Sequence, residues 1–387
     1  MKVAIVHYWL TGMRGGEKVV EALCELFPQA DVFTNVYEPE RVSATIRRHR
    51  VRTTFVNRLP FARRARAYLA LMPLALEQLD LRGYDLIISS ESGPAKGIVP
   101  PLDARHICYC HSPMPYAWDL YREYLDGSGF LARALIRPVM HYMRLWDFVA
   151  AARVDYFIAN STHTQRRIAK YYRRKAEVLY PPVETERFAP ADERGDFYLM
   201  VGALDAYKRV DLAVQAFNQL GRPLVVIGAG PEEKRLRGMA KSNVNFVGAR
   251  PDAVLRYQYA RCRALILPGE EDFGIVPVEC MASGRPVIAY GRGGALDTVR
   301  DGETGVFFKE QTAESLVQAV LRYEQMEREF SPDRIAEHAR GFDREVFKAR
   351  FSAMVERVMQ GPSVRVPRGS GALALPSQSE DAQAKSR

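Results

Sequence analysis

Tyr180-Pro181-Pro182-Val183-Glu184 divides the chain. Consecutive prolines lack N–H donors and fix φ, so this run, continuing to Pro190, reads as a linker and not as helix or central strand. Before it, short apolar runs at 3–7, 84–89, 106–110 and 156–160 read as strands, and a helix spans 16–26 behind Gly15-Gly16. After it the alternation restarts, with strands at 197–201, 223–227, 244–247, 264–267, 286–289 and 306–308. Helices at 209–220, 232–240, 252–262 and 277–283 lie between them. Strand–helix alternation of this kind builds parallel sheets covered by helices on both faces, so the expectation is α/β with two doubly wound domains. Helices at 314–329 and 344–359 close the fold. The stretch 361–387 is Pro, Gly, Ser, Gln and charge without periodicity, and is expected to be disordered.

The 387 residues are 47% hydrophobic and 26% charged, which excludes collagen-like, coiled-coil and fully disordered chains. No apolar run is long enough for a spanning helix, and the opening Met1-Lys2-Val3-Ala4-Ile5-Val6-His7 is too short for a secretory signal. Five cysteines without small-domain spacing point to a reducing cytosol, with Cys108 and Cys110 as buried small hydrophobes. Lys+Arg 55 against Asp+Glu 46 gives +9. The window from Arg41 to Arg66 holds nine arginines and no Asp or Glu, so it carries a charge equal to the whole excess. Phe55, Val56, Leu59, Phe61, Tyr68 and Leu69 are interleaved with them. Anionic lipid, nucleic acid and plain solvent are all open partners for such a face; the apolar residues favour lipid over phosphate backbones. A second stretch, from Phe130 through Arg133, Arg137, Met140, Tyr142 and Met143 to Trp146, reads as a similar surface or as a core-facing amphipathic helix.

Ligands of doubly wound sheets sit at the carboxyl ends of strands, against helix N-termini. Five segments qualify. Gly15 and Gly16 open the first helix and could bring backbone amides to a phosphate, although a plain strand–helix turn fits equally. Gly228-Ala229-Gly230 follows a strand but has Glu233 at the third glycine position of a dinucleotide fingerprint, so it reads as a packing turn. His111, after strand 106–110, is open to hydrogen bonding, proton exchange or packing. Lys208-Arg209 put two cations at a helix mouth, which suits a diphosphate or an exposed surface. The fifth is Glu271-Asp272-Phe273-Gly274-Ile275-Val276-Pro277-Val278-Glu279. Pro277 reads as the first helical turn, with Glu279 inside that turn, and the N–H groups of Gly274, Ile275 and Val276 are left for a phosphate. Carboxylates beside an anion site make sense if they accept the hydroxyls of a sugar and a ribose. That combination points to a nucleotide sugar.

Glu271 and Glu279, with seven residues between them and Phe273-Gly274 inside, resemble the E-x7-E motif of the retaining GT-B glycosyltransferases of family 4. The resemblance extends to Tyr109-Cys110-His111-Ser112-Pro113, Tyr180-Pro181-Pro182-Val183, Tyr207-Lys208-Arg209-Val210-Asp211, Asn245-Phe246-Val247-Gly248 and Gly293-Gly294. The chain looks most like the bacterial mannosyltransferases of O-antigen and exopolysaccharide assembly. The resemblance implies an acceptor-binding Rossmann-like domain over 1–182 and a nucleotide-sugar-binding one over 183–343, facing each other across a cleft. The helix 344–360 then returns to the first domain. Glu279 would hold the ribose, Glu271 the donor sugar, and Lys208 the leaving diphosphate. His111 would meet the sugar near its 6-hydroxyl, and the loop around Val247 the base. The family arginine is Ala203 here, with Arg209 as a possible substitute in a different register.

The implied activity is retaining transfer of mannose from GDP-mannose to a polyprenyl-diphosphate-linked saccharide by a cytoplasmic protein at the inner membrane face. It needs no metal or other cofactor and no nucleic-acid partner. A nucleotide-sugar 2-epimerase of the same architecture, which would want more acid/base groups in the cleft, is one alternative. A non-enzymatic basic surface protein is the other. Nothing in the residues indicates the oligomeric state.

Overall fold

The computed structural model describes residues 1–63, 65–126 and 129–361. Arg64 of the basic window and the tail from 362 onward lie outside the described residues. Strands β1 (Val3–His7), β2 (Asp31–Thr34), β3 (Arg50–Thr53), β4 (Leu86–Glu91), β5 (Arg105–Cys110), β6 (Tyr156–Ala159) and β7 (Ala176–Val178) form one sheet. Its order is β3-β2-β1-β4-β5-β6-β7 and every neighbouring pair is parallel. Strands β8 (Tyr198–Val201), β9 (Leu224–Ile227), β10 (Val244–Gly248), β11 (Leu265–Leu267), β12 (Val287–Tyr290) and β13 (Gly305–Phe308) form a second parallel sheet, ordered β10-β9-β8-β11-β12-β13. In each sheet the order reverses beside the first strand, at β1/β4 and at β8/β11. Those are the switch points where loops diverge and a crevice opens. The two doubly wound domains read from the alternation are therefore present.

All five residues of β1 are buried, as a strand covered by helices on both faces requires. The helix Arg344–Gln360 packs on this first sheet: Phe347, Phe351, Met354 and Val355 lie in one core with Val3, Ile5 and Leu23. Asp343 caps it by accepting from the Glu345 amide at 2.9 Å. Beside the cap the linker crosses the returning chain, where Val183 N donates to Phe342 O (3.1 Å) and Arg344 N to Val183 O (3.0 Å).

Several expectations need correction. Strands β2, β3 and β7 and the helix Pro332–Arg340 are additional to those read from the sequence. The helix of the Glu271–Glu279 segment is Ile275–Ala282, capped by Gly274. It starts two residues before Pro277, so Glu279 falls in its second turn. Helix Phe130–Ala152 is neither purely surface nor purely core. It buries Met143, Asp147 and Ala150 and exposes Leu135, Leu145 and Val149. The arginine window is less uniformly basic than its sequence, because Asp31 approaches Arg52 at 3.5 Å and Glu38 approaches Arg41 at 3.8 Å. Val56 is in the core. All five cysteines are buried and free. Among the described residues, no helix is long and apolar enough to cross a membrane.

Candidate active site

On the second domain's side, Gly274 has φ +90, a conformation a Cβ makes costly. It turns the chain into the helix Ile275–Ala282, whose first amides have no partner within the helix. Lys208, in the turn after β8, pairs with Glu271 in the loop after β11. Burial works against the Lys208 charge, yet Glu271 beside it holds the ammonium pKa above its ordinary value. Burial pushes the Glu279 carboxyl up to about 7, although the Tyr259 hydroxyl donates to it at 3.0 Å. Arg209 does not join Lys208. In the left-handed conformation (φ 53), it turns its guanidinium to Asp211 (3.2 Å) and Gln311 (3.1 Å). Ala203 is exposed in the same loop. Val247 sits at the carboxyl end of β10, half-buried. Its neighbour Gly248 accepts from Gly228 N at 3.1 Å. Gly228 is a packing glycine: a Cβ there would lie 1.8 Å from Gly202 O.

On the first domain's side, Gly15 and Gly16 begin the helix Gly15–Leu26. A Cβ on Gly15 would lie 2.9 Å from Ile275 Cδ1, so this loop touches the start of the helix Ile275–Ala282 across the cleft. A Cβ on Gly16 would meet Tyr8 Oη at 3.1 Å, His7 Cε1 at 3.3 Å and His111 Nε2 at 3.5 Å. His111 Nε2 lies 2.9 Å from Ser90 Oγ, and His7 Nδ1 lies 2.8 Å from Ser90 O. His7 Nε2 is buried without a hydrogen-bond partner. Burial pushes His111 down to about 4; burial, then the neighbouring His111, pushes His7 down to about 3. Both rings are neutral at physiological pH. They offer hydrogen bonds and no charge, which favours the hydrogen-bonding reading of His111 over proton exchange.

The domains are also tied beside the site. Arg167, on helix Thr162–Tyr171, pairs with Asp272 and donates to Ser112 Oγ at 2.7 Å. Thr162 donates to Asp297 from its amide (2.9 Å) and its hydroxyl (3.0 Å). The loop bearing Glu271 is thus held from the opposite domain. His7, Ser90, Arg167 and Asp272 were not singled out in the sequence. His7 ends β1 just as His111 follows β5, so the strand-end rule applied evenly finds it. Arg167 and Asp272 carry no local signal.

Residues 13–187 match the family model described as Glycosyltransferase Family 4, and residues 183–342 the one described as Glycosyl transferases group 1. A D-rhamnosyltransferase of Pseudomonas aeruginosa is 29% identical over 195 residues, 44% of this chain and 49% of that protein. The chain spans about half the length, or less, of the curated relatives it matches. Sucrose-phosphate synthase from Thermosynechococcus elongatus superposes with a TM-score of 0.71 at 18% identity, over 92% of this chain and 99% of that one. Anabaena HepE, solved in complex with UDP, superposes with a TM-score of 0.67 at 16% identity, over 92% of this chain and 100% of that one. The chain has the GT-B fold, and its two halves are similar to the Glycosyltransferase Family 4 and Glycosyl transferases group 1 models in turn.

Proposed function

We propose that the protein is a retaining glycosyltransferase that moves mannose from GDP-mannose to a polyprenyl-diphosphate-linked saccharide. It does so at the anionic inner face of the cytoplasmic membrane, in the assembly of a bacterial surface polysaccharide. The observation that carries this reading is the approach of Gly15 to Ile275, which sets the neutral His7–Ser90–His111 group opposite the Lys208–Glu271 pair. A nucleotide sugar in that cleft exchanges the Lys208–Glu271 pair for two better-matched contacts, ammonium to diphosphate and carboxylate to sugar hydroxyls. The helix amides at Ile275 and Val276 share the phosphate charge, and Glu279 accepts the ribose hydroxyls. His111 donates to a hydroxyl of the donor sugar.

No protein nucleophile is invoked, and no metal. The departing phosphate oxygen takes the acceptor's proton on the face from which it leaves, while Lys208 and the helix amides stabilise the charge that develops. The UDP complex of HepE supports a nucleoside diphosphate as the leaving group, and the motif resemblance supports GDP-mannose. The arginine window, with Leu135 and Val149 exposed on the helix Phe130–Ala152, supports approach to a lipid surface.

The test is incubation with radiolabelled GDP-mannose, UDP-glucose and UDP-galactose beside a polyprenyl-diphosphate disaccharide. The reading expects label from GDP-mannose in the lipid phase, joined with the donor's anomeric configuration. Conversion of a donor to its C2 epimer, still linked to the nucleotide and with no label in the lipid phase, identifies a 2-epimerase instead, and no turnover of any donor refutes transfer.

A further inference from the structure

Helix Thr162–Tyr171 of the first domain touches both sides of the cleft. Within its own domain, Thr164 Oγ1 donates to His111 O at 3.2 Å. Arg167 donates to Ser112 Oγ at 2.7 Å and to Pro113 O at 3.3 Å, and pairs with Asp119 further along the same loop. Across the cleft, Arg167 pairs with Asp272, and His163 Nδ1 stands 3.7 Å from Glu270 Oε1. The residues on both sides of Glu271 are therefore engaged from the opposite domain.

An ordinary exposed ion pair contributes little. Arg167 differs from one in two ways. Its side chain is only 11% exposed, and its fork closes on Asp119, on Ser112-Pro113 and on Asp272 together. Ser112 Oγ also faces Asp272 Oδ1 at 3.3 Å, so hydroxyl, guanidinium and carboxylate meet at one point. Behind the loop, Gly294 N donates to Glu271 O at 2.7 Å, and a Cβ on Gly293 would lie 2.4 Å from that oxygen. Glu271 is thus held between the glycine turn of its own domain and Arg167 of the other. A reacting group carried on a loop keeps its geometry only when such supports lock it.

We propose that Arg167 is a positioning residue, which fixes Glu271 relative to His111 by gripping Asp272 on one side and Ser112-Pro113 on the other. The inference rests on the transfer reading for its ligand. A donor sugar held by both Glu271 and His111 needs that spacing. A nucleoside diphosphate on Lys208, Glu279 and the helix amides needs the second domain alone. Arg167 accordingly separates donor from leaving group without touching either.

The test compares the full chain with Arg167→Gln, Arg167→Lys, Asp272→Ala and the double variant Arg167→Gln/Asp272→Ala. In the free protein, amide hydrogen exchange over 291–298, the segment holding the Gly294 amide, should quicken in Arg167→Gln and in Asp272→Ala. It should quicken less in Arg167→Lys, which keeps a charge but loses the fork. By calorimetry, the preference for GDP-mannose over GDP should fall about tenfold in Arg167→Gln and Asp272→Ala, the scale of one charge-assisted contact. GDP itself should bind no more weakly than to the wild type. The double variant should lose no more than either single one, since both cut the same link. Because Arg167 also orders its own domain, Asp272→Ala decides the matter if Arg167→Gln does not fold. Wild-type exchange and preference in folded variants overturn the inference. Losses that add in the double variant, or that weaken GDP equally, overturn it too. A preference that survives in both single variants refutes the grip and spares the transfer reading. Quickened exchange in the variants, with no preference in the wild type, does the reverse.

Discussion

The two halves of the molecule wind their strands in the same order, yet they place opposite chemistries at the switch point. Around β1, β4 and β5 stand His7, Ser90 and His111, neutral groups whose imidazoles burial has stripped of charge. Around β8 and β11 stand Lys208, Glu271 and Glu279, where an ion pair keeps the ammonium charged. The scaffold therefore fixes where a ligand lies, and a few strand-end residues fix which end of it carries charge. On the proposed reading, a diphosphate lies against the second half and a neutral hydroxyl against the first.

Removing the charged half's contacts should cost most. Glu271→Ala is expected to lower kcat by roughly 10²–10³, the scale of one lost transition-state contact. The apparent donor affinity should fall less, because Glu279 and the helix amides remain. Steady-state kinetics with saturating donor check this, and near-wild-type turnover sinks the role given to Glu271. In the neutral half, His111→Ala should abolish most activity and His111→Gln retain part of it, since an amide can still donate a hydrogen bond. Equal and complete loss in both variants points to a structural or proton-transfer role.

The two halves should also separate by pH. The Glu279 carboxyl, raised to about 7, is protonated below that pH and ionised above it, and the ionised form accepts ribose hydroxyls better. Donor KM should accordingly rise severalfold from pH 8 to pH 6, and Glu279→Gln should flatten the profile. His111, lowered to about 4, is neutral throughout and should add no inflection between pH 5 and 8. The smallest effect concerns the basic face. Arg58→Ser removes one exposed cation, about 1 kcal/mol of attraction to an anionic surface, and should weaken vesicle sedimentation about fivefold at low salt. The difference should fade at high salt. An unchanged partition removes Arg58 from the docking face.

Much of this contrast was readable in the residues. Alternation of apolar runs and helices located ten strands, because parallel strands buried on both faces are continuous apolar segments. Strand β3 escaped because Arg50-Val51-Arg52-Thr53 is an edge strand, where exposed arginines discourage pairing with another sheet and erase the apolar signal. Strand β7, only Ala176–Val178, is half-buried throughout. Helix Pro332–Arg340 does carry a start signal, Ser331 as cap followed by Pro332. The helix of the Glu271 segment starts at Ile275 and not at Pro277, because Gly274 makes the turn and proline is tolerated anywhere in a first turn. Lys208 and Glu271 were visible one at a time. Their pairing across 63 residues, the divergence of Arg209 towards Gln311, and the reach of Arg167 to Asp272 depend on tertiary approach that local spacing does not encode.

The central claim is that one ligand bridges the charged half, with diphosphate on Lys208 and sugar on Glu271. Calorimetric titration of GDP-mannose and of GDP into wild type and Glu271→Gln tests it directly. The account predicts that GDP binds the variant at least as well as the wild type, because Lys208 no longer has Glu271 to leave, whereas GDP-mannose loses its advantage over GDP in the variant. Equal weakening of both ligands, or no preference for GDP-mannose in the wild type, contradicts it.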